Sequence, residues 1–596
     1  MKASWGRWDV ALALSAALWA AGCGSAPAPP SLQARQITQD QGLTTYPAIA
    51  PGGAALAVAS DRAGAFNLDI WIVPMGGGSA RQLTRNEADD IAPDFSPDGA
   101  LVVYQSQRDG GGVYATPATG GEERLLARDG LRPRFSPDGR WIAYAVGRSL
   151  AACRVYVMPA TGGEPRQVGQ DVPWSIDPVW SPSGDKLLVL GSSDPIGLTA
   201  GAAVDWWAVS LDGAPSVASG AAALFAAQNI PLPSPGSWTP QGAIAASSGR
   251  TWHVRLGDSG KVEGLLTGAF SGGSGDVEAV ATVLDDSSLR VAVARTKKTA
   301  YLWSLPLDSN SGRTAGALQR LAQSAGDRIY PSLSRDRRTL LFIQRTGASH
   351  EIRTKDMVSG REATLAQFDT VTRPRISPDG AKAGFSSFDK AGLRHLYTMP
   401  VRGGEPARLC EDCGEIYGWT PDSRSLVIWA GSPIRFYLLN TANGERTELI
   451  GDETESIHGA EFSPDGRWVA FHVPMTTQKR PVYVAPVREG KAAPRDEWRL
   501  VVDNTVENLR PWWSEDGRLL YFISRLDGFR CIWAQRLDDS KYASSEPFDV
   551  YHFHGARRSP GPAGLGGFGP AFSRDQLIFS LEDETGNIWW GEPVSH

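Results

Sequence analysis

Apolar residues in this chain come in consecutive runs rather than at alternate positions: Ala54 to Ala59, Leu101-Val102-Val103-Tyr104 and Leu577-Ile578-Phe579 are typical. Short β-rich runs of this kind predict strands covered on both faces, which need a packed sheet on each side. A polar corner precedes each run. In Phe95-Ser96-Pro97-Asp98-Gly99, Pro presets φ for the second turn position, Asp bonds its own backbone, and Gly takes the left-handed conformation that ends the turn.

The corner returns as Ser136-Pro137-Asp138-Gly139, Ser181-Pro182-Ser183-Gly184, Ser377-Pro378-Asp379-Gly380 and Ser463-Pro464-Asp465-Gly466. Worn copies stand at Pro51-Gly52-Gly53, Thr239-Pro240-Gln241-Gly242, Ser334-Arg335-Asp336, Thr420-Pro421-Asp422, Ser514-Glu515-Asp516-Gly517 and Ser573-Arg574-Asp575, with a faint one near Leu284-Asp285-Asp286. The spacing, roughly 40 to 60 residues, is that of four-stranded propeller blades. Twelve blades are therefore predicted. The first shows all the parts: Ala54 to Ala59, then Asp69-Ile70-Trp71-Ile72-Val73-Pro74, a Gly76-Gly77-Gly78 turn, and Ala80 to Thr84.

The repeats fall into two sets. Ile37 and Leu321 stand 284 positions apart, as do Tyr46 and Tyr330, and the corners Ser96 and Ser377 are offset by 281. A six-blade unit has been duplicated, and the Ser/Gly-rich stretch after residue 300 is the expected boundary. The last blade reads Gln576 to Ser580, then Asn587-Ile588-Trp589-Trp590, and has no fourth strand of its own. Exposed strand edges are avoided, so Ala34 to Thr38 is expected to seal blade six and Leu318 to Ala322 blade twelve. In blade six the third strand is expected at Tyr301-Leu302-Trp303. The predicted fold is all-β: two six-bladed propellers in tandem, residues 34–310 and 311–596, each closed by its N-terminal strand. A twelve-blade ring and a seven-plus-five split are the alternatives.

Composition narrows the function. A net charge of -6 without blocks of like charge indicates neither a nucleic-acid surface nor a polybasic membrane patch. Lys2 and Arg7 precede an apolar run from Val10 to Gly22, so residues 1–22 read as a secretory signal. Ala20-Ala21-Gly22-Cys23 resembles a lipobox, which makes Cys23 the expected lipidation site, and residues 23–33 a Pro/Ala-rich tether. Gly24, by analogy with lipoproteins, points to the periplasmic side of the outer membrane; a cleaved signal releasing a soluble exported protein is the alternative. Cys410 and Cys413 have the spacing of a redox motif but lie between blades without a helix start, and are expected to form a local disulfide or a plain pair. Cys153 and Cys531 read as core thiols.

The Ser-Pro-Asp-Gly corners, third strands such as Arg154-Val155-Tyr156-Val157-Met158-Pro159 and the following Gly162-Gly163-Glu164 turn resemble the propeller repeats of the TolB family. Trp512 to Gly517, Tyr521 to Arg525, Val550 to His554, Ala556 to Ser559 and Thr585 to Trp589 are similar to TolB-like propellers of acidobacterial proteins. The resemblance implies fold strongly and function weakly. TolB itself carries an α/β domain ahead of one propeller, where a second propeller is expected here, so a Tol-Pal role does not carry over.

Catalytic motifs are sparse. No Gly-x-Ser-x-Gly elbow and no His-Arg-Asp or Asp-Phe-Gly kinase set occurs. Gly564 to Gly569 matches a dinucleotide pattern, but Pro570 follows where a helix is required. His552 and His554 have a spacing that can ligate metal on one side of a strand, yet an outer strand is expected there, and the reading is structural. No catalytic residue, metal or cofactor is assigned. The first strand of each blade lines the channel, and the entries to these strands in the second propeller carry Arg328, Arg373, Tyr417, His458, Arg510, Arg557 and Arg558. They predict a basic mouth that binds an anionic ligand or acidic protein segment. The first propeller's entries, Asp90, Arg132, Asp177 and Asn229, are mixed. The sequence reading is thus a monomeric, non-enzymatic binding platform of the cell envelope, held to the membrane only through Cys23. A metal-dependent polysaccharide lyase or a hydrolase using the channel is the alternative.

Overall fold

The computed structural model describes residues 32–593 apart from 65–66, 148–152, 195–202, 241, 248–249, 268–275, 286–287, 322–325, 348, 391, 476–478, 505, 528–529, 554–556 and 560–568. The signal segment, Cys23, most of the tether, His554 and Gly564 to Phe568 lie outside the described residues.

Strands dominate, and a six-residue helix at Ala221–Ala226 is the one α-helix among the described residues. The strands form nine four-stranded antiparallel sheets, one of five strands and one of eight. Each corner works as its residue types require. The Ser96 hydroxyl donates to Asp98 at 2.5 Å and accepts from the Leu101 amide at 2.9 Å, and Gly99 has φ +70°. The same triad recurs at Ser136, Ser377, Ser463 and Ser514, with Thr420 substituting in one sheet. Successive corners touch, because the Cβ position of Gly139 faces Pro97 and that of Gly184 faces Pro137. A side chain there would meet both a left-handed backbone and its neighbour.

The strand after each corner is enclosed on both faces. Leu56 to Ala59, Leu340 to Ile343 and Leu520 to Ile523 have no exposure. Each sheet packs face-on against the next, so that Ala57 and Ala59 meet Val102 and Tyr104. First strands follow one another in chain order from Thr44–Ile49 to Pro235–Thr239, and Asp276–Asp285 then packs back against Thr44–Ile49. A second series runs from Asp327–Leu333 to Asn508–Trp513, with Ala571–Phe572 against Asp327–Leu333.

The eight-stranded sheet departs from the sequence reading. Gln576 to Ser580 and Asn587 to Trp590, expected as two arms of one hairpin, are one continuous strand, Gln576–Pro593. It pairs antiparallel with an equally continuous strand, Ser288–Asp308, from Val291 opposite Gly591 to Pro306 opposite Gln576. At one end the order is Leu32–Gln36, Gln576–Pro593, Ser288–Asp308, Asp276–Asp285. At the other end Ala571–Phe572 and Gln319–Arg320 flank the same two long strands. Tyr301-Leu302-Trp303 therefore lies beside Gln319–Arg320, and Asn587 to Trp590 beside Leu32–Gln36. The two halves have exchanged their third strands.

Cross-strand charge favours continuity even though Asp583 and Gly586-Asn587 are of types that often turn a chain: Lys298 stands opposite Glu584 with 3.8 Å between the charges. Burial holds the sheet at both ends. Ala292, Ala294, Ile588 and Trp590 pack on Leu56 and Val58, whereas Trp303, Leu305, Leu577 and Phe579 pack on Trp512 and Tyr521. Arg557 ties the halves again, donating to Asp61 at 2.7 Å and to Asp583 at 2.8 Å. Cys410 and Cys413 form a disulfide, and Cys153 and Cys531 are buried thiols.

Candidate functional site: a cationic cavity

A repeated backbone device sets up the site. Seven first strands carry a residue of positive φ immediately before a proline: Tyr46, Ala92, Arg132, Asp177, Tyr330, Arg373 and Arg510, at +46° to +57°. Each coincides with a shift in pairing register, as between Thr372 and Arg375 or between Leu509 and Trp512. These are β-bulges, which re-aim side chains, and a non-glycine residue at positive φ costs about 1–3 kcal/mol. Fully buried second strands beside them hold that strain in place.

In the second half the bulged strands surround a cavity of about 430 Å³. Its walls include Pro331 to Leu333, Arg375, Tyr417, Glu461, Arg510 to Trp513 and Pro570 to Phe572. The charges in it are poorly matched. Arg375 donates to the carbonyls of Tyr417 at 2.9 Å and Pro374 at 3.2 Å, and makes no ion pair among the described residues. Arg510 and Glu461 make no side-chain hydrogen bond or ion pair among the described residues. Burial dominates the titration of all three. It holds the Arg375 guanidinium below its ordinary range and that of Arg510 at about 10, and it pushes the Glu461 carboxyl up to about 7 despite Arg375 and Arg510 nearby. Near neutral pH the inner wall thus carries two guanidinium charges against an acid that is half protonated, while at the exposed rim Arg335 donates to the Pro464 carbonyl and Glu515 pairs with Arg337. The Tyr417 hydroxyl is raised by the same burial, partly offset by Arg510.

Three of the sequence-predicted residues converge here: Tyr417 and Arg510 in the wall, and Arg373 beside it, paired with Glu415 at 3.2 Å and lying over Trp429. The others do not. Arg328 is 2% exposed, forked onto Glu362 by two 2.9 Å bonds and stacked on Phe342. His458 stacks on buried His472 with ring centroids 5.5 Å apart. Arg557 joins Asp61 to Asp583, and Arg558 lies over Trp303. In the first half, Asp90 pairs with Arg108, and Arg132 with Asp177, which also accepts from Ser234. Asn229 lies in a loop. Charges there neutralise one another.

Residues 30–132 match the family described as TolB beta propeller domain. Over this stretch the chain is similar to the TolB-like β-propeller repeat family. An uncharacterized protein of Agrobacterium fabrum is 31% identical over 153 residues, which is 25% of this chain and 49% of that protein. The Tol-Pal system protein TolB of Bordetella pertussis is 44% identical over 55 residues, 9% of this chain and 13% of that one. The match spans about half of the first relative and a smaller share of the second. The crystal structure of TolB from Acinetobacter baumannii aligns at 12% identity with a TM-score of 0.33, covering 52% of this chain and 82% of that one.

Two cavity residues of this TolB-like chain escape a reading based on strand entries: Arg375 and Glu461. Both sit just past the bulge, as Arg134 and Asp94 do in the first half. Pro93-Asp94, Pro133-Arg134 and Pro374-Arg375 were the available signal. Asp94 is pushed up to about 6 by burial and accepts from the Phe135 amide at 2.7 Å, so the position after the bulge holds enclosed charge in both halves.

Proposed function

We propose that this TolB-like protein is a non-catalytic binding platform, exported and lipid-anchored at Cys23, in which the two strand series form six-bladed wheels joined through the eight-stranded sheet. The second wheel captures carboxylate groups of a small anion or an acidic protein segment. One observation carries the reading: Arg375 and Arg510 face a cavity of about 430 Å³ without an ion pair among the described residues. Enclosed guanidinium groups gain most from a carboxylate that arrives already bearing charge. The bulges keep both side chains aimed inward before any ligand arrives, which reduces the ordering cost of binding. A channel enzyme using a three-ligand metal centre would need its ligands on these strands. The described Asp/Cys/His group instead lies at residues 527, 531 and 552, off the cavity wall.

Calorimetric titration with hexaglutamate tests the site. Each charge-assisted pair contributes about 1.5–3 kcal/mol, so Arg375→Glu with Arg510→Glu is expected to weaken binding at least roughly a hundredfold. Equal affinity in the double variant, or no binding by the parent protein, removes the assignment.

A further inference from the structure

A second polar cluster lies at the end of the sheet 508–551 opposite its Ser514–Gly517 corner. Asp527 follows the second strand, Cys531 opens the third strand, Cys531–Arg536, and His552 directly follows the fourth, Phe548–Tyr551. Antiparallel order brings these ends together, and one ligand atom from each side chain lies within 4.8 Å of the others.

The arrangement calls for positive charge. His552 presents Nδ1 to Asp527 at 2.7 Å and Nε2 to Asp549 at 3.3 Å. Carboxylates accept only, and a neutral imidazole donates through one nitrogen. Both ring nitrogens thus face carboxylates, an arrangement that suits a doubly protonated imidazole or an imidazole whose Nδ1 turns onto a cation. Two further contacts bear on the metal. Burial and the hydrogen bond to Asp527 push the Cys531 thiol up, so a cation has to displace its proton, while the Phe553 amide, donating to the sulfur at 3.4 Å, is a contact the resulting thiolate keeps. A carboxylate behind the outer nitrogen of a ligating histidine is the common means of fixing its tautomer and raising its basicity.

We propose that Asp527, Cys531 and His552 bind one divalent cation of the zinc class, with Asp549 orienting the imidazole from behind. Sulfur, nitrogen and oxygen together suit Zn²⁺, whose bonds are about 2.0–2.3 Å, and His552, on the exposed side of the cluster, is the ligand with room to adjust. The cation joins the ends of three consecutive elements at the rim of the sheet, and with three protein ligands it keeps one position for water. Binding requires Cys531 to lose its proton, so uptake releases protons and strengthens as pH rises.

The test uses the full chain, freed of metal by a chelator and titrated with Co²⁺ and Zn²⁺. One equivalent of Co²⁺ with a thiolate-to-metal charge-transfer band, and a thermal midpoint raised by Zn²⁺, are the expected results. Both signals should disappear in Cys531→Ser and weaken at least roughly tenfold in Asp549→Asn. Should Cys531→Ser fail to fold, the more exposed variants His552→Gln and Asp527→Asn take its place. A parent protein that binds Co²⁺ without a thiolate band, that binds none, or whose band survives His552→Gln leaves the cluster as a protonated histidine between two acids and overturns the proposal.

Discussion

Replacing Glu461 by Gln isolates the electrostatics of the cavity, because Gln keeps the shape of the protonated acid and cannot ionise. The carboxyl is pushed up to about 7 from an ordinary 4.5, first by burial, with Arg375 and Arg510 opposing. In the unfolded chain Glu461 ionises as pH rises through 4.5; in the folded chain it holds its proton until about 7. The parent protein therefore loses stability between these values and carries the full penalty above the higher one. A shift of this size corresponds to about 3 kcal/mol. Below pH 4.5 both states are protonated, and Glu461→Gln should match the parent. By pH 8 the variant should be more stable by about 2–3 kcal/mol. Urea denaturation at a series of pH values, followed by tryptophan fluorescence, measures the difference. The same substitution should keep hexaglutamate binding from weakening as pH rises through 7. A stability difference that stays constant from pH 4.5 to 8 would show that Glu461 titrates normally, and the cavity with excess positive charge would have to be abandoned.

Arg557→Ala should cost about 3–5 kcal/mol, since it strands Asp61 and Asp583, both nearly fully buried; a thermal midpoint within a degree of the parent's would contradict the bridging role. Removing the Cys410–Cys413 disulfide, by contrast, should cost no more than about 2 kcal/mol, because the bridge closes a very short loop. Thermal unfolding with and without reductant checks this, and collapse of the fold on reduction would refute it.

Local turn chemistry made the sheets legible in the sequence. Ser, Pro, Asp and Gly act within five residues, so a corner such as Ser377 to Gly380 can be read without knowing its surroundings. The exchange of third strands was not legible, because Leu577 to Phe579 and Ile588 to Trp590 have the same apolar pattern whether they form two arms of a hairpin or parts of one strand. The partner decides, and the partner Val291 to Pro306 lies far away in sequence. Charge complementarity between Lys298 and Glu584 favours the long pairing, but the two lie far apart in sequence, and locally Asp583 and Gly586-Asn587 read as a turn.

The cavity was half legible. Repeat position located Arg373, Tyr417 and Arg510, but Arg328 precedes its bulge residue Tyr330 by two positions, so it is equivalent to Val371 and turns into the sheet toward Glu362. Sequence shows which residues stand near a bulge, whereas the left-handed backbone decides which of them face inward.

Cavity and fold share one dependency. Pro570 to Phe572 complete the cavity wall and are held by Gln576–Pro593, whose far end pairs with Leu32–Gln36. The most direct test is to produce residues 32–310 and 311–596 as separate chains, alone and together, and to measure solubility and mass by size exclusion with light scattering. Interlocked long strands predict that each fragment alone aggregates or stays partly unfolded, while the two produced together purify as a one-to-one complex. Two independently folded, monomeric fragments with no affinity for each other would contradict the account.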